Sequence, residues 1–463
     1  MDSPQSLEVD DPAHPGVRAG TTYLATAEQY EEAAQAAVAG FEAMRSLPTY
    51  ERAAALRRIS AGIADRRDEL AELITRESGK SIRDARVEAD RGVLVFRLAA
   101  EEAERLGGET MPLDIAPAHK GRHALTRRFP IGPVAGISPF NFPLNLAAHK
   151  VAPALAAGCS IVLKPPSRDP LTMLTVAEII DATELPKGAV SVLPMDRATG
   201  DRLVRDDRFK LLSFTGSPAV GWRMKERAGR KPVVLELGGN AGAIVDESAD
   251  LEWAVARTVV GAFAFSGQVC ISVQRLLVHA AVWDEFMERF TAAAAALKLG
   301  DPLDARTDIG PMVDAAAVAR TERWVAEAVA DGARVLTGGV SAGLFFQPTV
   351  IVDAERSAQL CSEEAFAPLV VAFRFDDIGE ALAEVNASRF GLQAGIFTND
   401  LAHAWRAFDT LDVGGVVIND VPTYRVDHMP YGGIKESGIG REGLRWAIED
   451  MTESKLMVVA GPS

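Results

Sequence analysis

Cysteine is scarce in this sequence: Cys159, Cys270 and Cys361 are the only three in 463 residues. So small and odd a set excludes a disulfide framework and points to a reducing, cytoplasmic setting. Basic residues are in deficit, with a net charge of −15 and a pI near 5.1. Without a basic field, nucleic acid and anionic membrane are excluded as partners. No apolar run approaches the ~18 residues that a membrane-spanning helix needs. The start, Met1-Asp2-Ser3-Pro4, is acidic and polar, unlike a signal peptide. The seven histidines are scattered and no CxxC pairing occurs, so no metal site is expected.

What is present suits a soluble globular enzyme. Hydrophobic residues make up 48% and charged residues 24%, with alanine, a strong helix former, abundant. The length allows two or three domains. The first twenty or so residues, rich in Pro, Asp and Gly, read as a loose arm. Helical spacing follows over 26–45, with Thr26 as N-cap, then over 50–77 and 82–106. After Pro117 the pattern changes. Residues 122–128 read as a strand, and short apolar strands at 132–137, 160–163, 190–193, 211–214 and 233–235 alternate with helices at 147–156, 171–182 and 220–228. That alternation predicts a parallel, doubly wound α/β sheet. A second α/β set begins near Ala241, with strands near 275–278, 348–352 and 369–372. Residues 455–459 are strand-like and suited to pair with 122–128 as a protruding arm.

The chemistry-bearing segments are ambiguous one by one. Cys270 follows Gly267-Gln268-Val269; a thiolate is the attacking form, and a turn lowers its pKa, yet an isolated cysteine is more often core packing. Glu236 ends a strand and enters Gly238-Gly239, a place where ligands bind in α/β proteins and where a carboxylate serves as a general base. Asn141, between Pro139 and Pro143, offers a neutral donor for an oxyanion, or is simply a turn residue. Lys164-Pro165-Pro166-Ser167 and Phe214-Thr215-Gly216-Ser217 each join a strand to a helix. The second of these puts backbone N–H groups where a pyrophosphate binds. Glu363-Glu364-Ala365-Phe366-Ala367-Pro368 pairs carboxylates with an aromatic ring. Tyr431-Gly432-Gly433-Ile434-Lys435-Glu436-Ser437-Gly438 reads, without context, as a surface loop.

In this order, PFNFP, KPP, FTGSxxVG, ELGGN, GQVC, EEAFAP and YGGIKESGIGREG resemble the aldehyde dehydrogenase superfamily over nearly the whole chain. The texture looks closest to the branch containing lactaldehyde dehydrogenase-like enzymes. The resemblance implies a Rossmann-type dinucleotide-binding domain (1–117 and 131–240), an α/β catalytic domain (241–445) and a small bridging β-arm (118–130 and 446–463), assembled as a homodimer or homotetramer. It implies Cys270 as nucleophile, Asn141 as oxyanion donor, Glu236 as the base that activates water against a thioester, and Lys150 as an aid to proton transfer. For NAD or NADP it implies Lys164 and Ser167 near the adenosine ribose, Gly216 and Ser217 at the pyrophosphate, Glu364 on the nicotinamide ribose and Phe366 beside the nicotinamide.

Ser167 stands where many NAD-preferring members carry Glu, so tolerance of NADP is expected. Ala367 and Phe140 replace a more usual Gly and Trp. Asn145, His149, Arg425 and His428 lie close in sequence to the catalytic segments and are expected to line the entrance for a small polar or anionic aldehyde. A CoA-acylating enzyme, a non-catalytic dinucleotide binder and a cysteine esterase are the alternatives. Glu236 speaks against the first, and the intact Cys270 and Asn141 against the second.

Overall fold

Thr26 opens the first helix, Ala27–Met44, as the sequence predicts: its hydroxyl accepts the Gln29 N–H at 3.2 Å, and the Gln29 side chain accepts the Thr26 N–H at 2.9 Å. A computed structural model describes residues 5–460. The polar quartet at the start and the last three residues of the expected arm lie outside them. The first stretch is not a loose arm. Ser6–Asp10 pairs antiparallel with Arg18–Tyr23, and the Pro- and Gly-rich segment between them is their turn, with Gly16 at φ 83°. The helix expected over 50–77 is two, Thr49–Asp65 and Arg67–Ser78. The break falls at Arg66 (φ −104°, ψ 19°), whose guanidinium is tied to Glu69 and Glu178. Neither Gly nor Pro marks that break, so the sequence pattern could not show it.

Two sheets organise the rest. The first runs Gly438–Ile439, Val233–Glu236, Leu211–Thr215, Val134–Ile137, Ile161–Lys164, Val190–Val192; it is parallel except for its first, antiparallel strand. The second runs Arg334–Thr337, Thr349–Val352, Leu369–Phe375, Val273–His279, Ala241–Val245, Gln393–Phe397, Gly415–Ile418; it too is parallel except at one edge. The α/β class expected from strand–helix alternation is thus the observed one. A third sheet joins Thr110–Pro112, Arg122–Pro130 and Thr452–Ala460, in the register Thr126↔Leu456.

Helix Asn145–Ala157 is buried on every side, packed among the first sheet and the helices Thr49–Asp65 and Ile82–Arg105. A helix apolar nearly all round belongs in a core. Its three polar residues, Asn145, His149 and Lys150, cluster toward its N-terminal end, beneath the carboxyl ends of the strands. The two sheets meet there, because Val233–Glu236 passes through Leu237-Gly238-Gly239-Asn240 directly into Ala241–Val245.

Candidate active site

Four neighbouring strands of the first sheet deliver their carboxyl ends to one place. Glu236 and Thr215 are the last residues of their strands, Lys164 is the last of its own, and Asn141 follows Val134–Ile137. The ends of parallel strands are where an α/β sheet leaves room for a ligand. A cavity of about 670 Å³ opens there, lined by Asn141, Ser167, Gly216, Ser217, Glu236, Cys270, Glu364 and Phe366, among others. Eight residues proposed from sequence, spread over 226 positions of chain, therefore share one wall-to-wall space.

Glycine is what lets the second sheet reach it. A Cβ on Gly238 would lie 2.4 Å from a Glu364 carboxylate oxygen, and one on Gly239 would lie 2.2 Å from the Cys270 carbonyl oxygen. Both are closer than atoms can pack, so the crossing must be bare backbone for Glu364 and Cys270 to approach. The turn that carries Cys270 is itself constrained. Phe265, Ser266 and Gly267 take φ of 47°, 55° and 67°, and a Cβ on Gly267 would fall 2.0 Å from the Ala367 carbonyl. Three successive left-handed residues, two of them not glycine, cost energy that the surroundings offset. Ser266 donates to the Gly310 carbonyl at 2.7 Å, and the Gln268 side chain accepts the Val313 N–H at 2.7 Å.

Asn141 is buried and donates from Nδ2 to the Gln268 carbonyl at 3.0 Å; an amide nitrogen carries two hydrogens, so one remains for the cavity. Its own carbonyl accepts from Lys80 Nζ at 2.7 Å. Lys80 was not singled out from sequence. It is fully buried, paired with Glu88 and sandwiched between Phe142 (3.8 Å) and Phe265 (4.6 Å). One cation thereby ties the Asn141 loop to the turn that leads to Cys270. Burial pushes its pKa down, and the Glu88 carboxylate opposes that.

Cys270 departs from expectation in one respect. The turn does not lower its pKa; burial pushes the thiol up to about 12, with only a hydrogen bond from Tyr431 and the more distant Arg425 acting the other way. Glu236 shifts the same way. Burial, and then the like charge of Glu442, raise its pKa well above the usual carboxylate range. Both of its oxygens are buried without a hydrogen-bond partner, although the side chain faces the cavity. A buried orphan carboxylate at this cost signals a group kept for chemistry.

Behind Glu236 lies a network that the sequence did not reveal. Lys150 Nζ donates to Thr215 Oγ1 (2.7 Å), Ser213 Oγ (3.1 Å) and Glu442 Oε1 (3.2 Å). The other Glu442 oxygen accepts from Arg425 at 3.0 Å. Burial alone would raise the Glu442 carboxyl, but Lys150 and Arg425 bring it down to about 2. Arg425 also lies 3.7 Å from the Tyr431 ring centre, and Tyr431 Oη lies 3.0 Å from Cys270 Sγ. The Gly-rich loop is therefore no surface loop: Tyr431, Gly432, Gly433, Ser437 and Gly438 are buried, and Gly438–Ile439 adds a strand beside Glu236.

The four residues expected at the aldehyde entrance do not line the cavity. Asn145 (3.3 Å) and His149 (2.9 Å) both meet Asp427 Oδ1, which also holds Arg91 at 2.7 Å. Arg425 is committed to Glu442 and Tyr431. His428 is exposed at the surface. Proximity in sequence misled here, because Asp427, the residue that gathers the polar side chains, carries no motif.

The cofactor-side residues fit a dinucleotide. Ser217 opens helix Pro218–Arg227 without spending its side chain on the cap, which leaves first-turn N–H groups and a hydroxyl toward the cavity. Gly221 has its Cβ position 2.4 Å from Leu237, so the helix packs tight on the strand. Lys164 Nζ lies 3.3 Å from Ser167 Oγ, and burial lowers its pKa. Glu364 accepts the Gly239 N–H at 3.0 Å, and burial raises it to about 7. Phe366 meets Phe140 edge-on at 5.9 Å.

Residues 1–457 match the model of the aldehyde dehydrogenase family. A 3-sulfolactaldehyde dehydrogenase of Priestia megaterium is 44% identical over 89% of this chain and 86% of its own. Lactaldehyde dehydrogenases are also among the relatives. The crystal structure of aldehyde dehydrogenase 21 from Physcomitrella patens, in complex with the reaction product succinate, superposes with a TM-score of 0.97 at 47% identity, covering 99% of this chain and 96% of that one. Glyceraldehyde-3-phosphate dehydrogenase GapN from Methanocaldococcus jannaschii, complexed with NADP, does so with a TM-score of 0.95 at 37% identity, covering 99% and 100%. The chain belongs to the aldehyde dehydrogenase family. Its activity is the NAD(P)-dependent oxidation of an aldehyde.

Proposed function

We propose that this enzyme oxidises a small aldehyde carrying a second anionic group to the carboxylate, by way of a thioester on Cys270 that water hydrolyses. The observation that carries the reading is the unpartnered, buried carboxylate of Glu236 sharing one cavity with the Cys270 thiol. Cys270 Sγ adds to the aldehyde carbon, and the thiol proton leaves for solvent. The free hydrogen on Asn141 Nδ2 meets the oxyanion. Bound NAD(P) supplies the acceptor for the hydride, held by Lys164, Ser167, Ser217 and Glu364. Glu236, once ionised, takes a proton from water as that water attacks the thioester carbon, releasing the carboxylate and the thiol. Lys150 and Glu442, behind Glu236, supply a polar route for the proton.

Several further readings go with this one. Ser167 bears no charge against a 2′-phosphate, which supports use of NADP alongside NAD. The segments 1–117 and 131–240 serve as the dinucleotide-binding domain, 241–445 as the catalytic domain, and 118–130 with 446–463 as an oligomerisation arm. On that arm Leu456, Met457, Val458 and Val459 are each about half exposed, a face that a second copy of the chain would cover. Three free thiols, one of them catalytic, suit the reducing cytoplasm. The anionic substrate is supported by the sulfolactaldehyde dehydrogenase relative and the succinate-bound structure, no longer by Arg425 or His428.

A panel of aldehydes, each with NAD and with NADP, tests the reading through the absorbance of the reduced cofactor. Small anionic aldehydes are expected to give the highest kcat/KM, with the carboxylate as product. Full activity in Cys270→Ala, or turnover that requires CoA and yields an acyl-CoA, would overturn it.

A further inference from the structure

The hydrogen bond between Tyr431 and the thiol is not explained by the scheme above. Tyr431 is 3% exposed, and its hydroxyl lies 3.0 Å from Cys270 Sγ. The ring is clamped from three sides. Its backbone N–H donates to the Glu442 carbonyl at 3.0 Å, and its carbonyl accepts the Glu442 N–H at 2.6 Å. The Arg425 guanidinium covers the ring face at 3.7 Å and is itself fixed by Glu442 at 3.0 Å. The next residue is Gly432, where a Cβ would lie 2.7 Å from Glu236 Oε1, so the loop threads between nucleophile and base. Nothing in packing requires a hydroxyl at that point; phenylalanine fills the same volume.

We propose that Tyr431 is a catalytic residue, whose hydroxyl holds Cys270 Sγ in place and donates its hydrogen bond to the thiolate, with Arg425 as the positioning residue that sets the ring and its polarity. The inference rests on the assignment of Cys270 as nucleophile. A phenol is a far better donor than a thiol, so once the thiol proton has left for solvent, the phenol O–H points at sulfur and keeps its own proton. Hydrogen bonds to a charged acceptor are roughly twice as strong as neutral ones. A cation over the ring face draws electron density from the phenol and makes its O–H a stronger donor. The ionisable groups that face Cys270 are Tyr431, Arg425, Glu236 and Glu364. Of these, the two carboxylates disfavour the thiolate, which leaves the hydroxyl and the guanidinium to stabilise it.

The test does not need turnover. Alkylation of Cys270 by iodoacetamide is followed in the cofactor-free enzyme across pH; Cys159 and Cys361 are buried, and the Cys270 peptide is read by mass. For Tyr431→Phe the alkylation rate is expected to fall roughly tenfold at every pH from neutral to mildly alkaline, the loss that a rise of about one unit in the thiol pKa produces. Unfolding temperature and NADP affinity should stay unchanged. A profile that overlays the wild type, or faster alkylation because the hydroxyl merely shielded the sulfur, would overturn the proposal. If the phenylalanine variant does not fold, Arg425→Lys carries the same test. It keeps the charge paired with Glu442 but removes the flat cation from the ring, and an unchanged alkylation rate overturns the proposal. Wild-type enzyme that oxidises no aldehyde would instead count against the proposed function, and the alkylation profiles would still judge Tyr431.

Discussion

Replacing Gly239 by alanine places a methyl carbon 2.2 Å from the carbonyl oxygen of Cys270, where ordinary contact begins at 3.4 Å. The backbone on both sides belongs to the sheet crossing and to the constrained turn, so neither can swing away as a side chain would. Relief of the clash requires a displacement of roughly 1 Å, the kind of misplacement that costs about 100-fold in rate when it reaches a reacting group. Strain of about 1–3 kcal/mol in stability should accompany it. Gly238→Ala is the internal control. There the methyl group meets Glu364 Oε2 at 2.4 Å, the end of a side chain that can rotate. Because that carboxylate also accepts the Gly239 N–H, its movement should weaken cofactor binding while leaving the thiol in place. Single-turnover formation of reduced cofactor reports the first effect, and fluorescence titration with NADP the second. The reasoning is refuted if Gly239→Ala keeps its single-turnover rate within about threefold of wild type, or if Gly238→Ala loses more of that rate than Gly239→Ala does.

Other outcomes follow from the same geometry. Glu236→Gln should slow steady-state turnover by roughly 10²–10⁴-fold while sparing the first burst of reduced cofactor, since only thioester hydrolysis needs the base; loss of the burst as well would contradict this. Because burial and Glu442 raise the Glu236 pKa, its basic form grows at higher pH than an ordinary carboxylate's, so hydrolysis-limited kcat should rise with pH above the usual carboxylate range, and a kcat flat from mildly acidic to alkaline pH would refute it. Lys80→Met strands the buried Glu88 carboxylate and should cost about 3–5 kcal/mol, read as a large drop in unfolding temperature, with no drop if the pair is dispensable. Ser167→Glu should lower the kcat/KM ratio of NADP to NAD by more than ~10-fold through repulsion of the 2′-phosphate, and an unchanged ratio would dissociate Ser167 from that phosphate.

Much of the molecule was legible before folding. Short apolar runs located five strands of the first sheet and the four central strands of the second, but not Arg334–Thr337, Gln393–Phe397, Gly415–Ile418 or Gly438–Ile439; helical spacing and Thr26 located the first helix and its cap. What misled was local in each case. The Pro- and Gly-rich start read as a loose arm, but those residues form the turn of a hairpin. Arg66 breaks a helix without Gly or Pro, its side chain shared between Glu69 and the distant Glu178. Arg425 and His149 look from sequence like substrate ligands, yet Glu442 and Asp427 claim them first.

The sequence by itself determined the cast: a thiol, a carboxylate, an amide and a strand–turn–helix for phosphate, in an order specific enough to identify the family. Such residues are set by reaction chemistry, and chemistry is written in residue type. Only the tertiary structure decided their electrical state. It withdraws Cys270 and Glu236 from water so that both pKa values rise, places Tyr431 on the sulfur, and backs the pair with Glu442, Lys150 and Arg425. Protonation depends on solvent exclusion and on charges a few ångströms away, and those neighbours come from chain positions more than 150 residues apart.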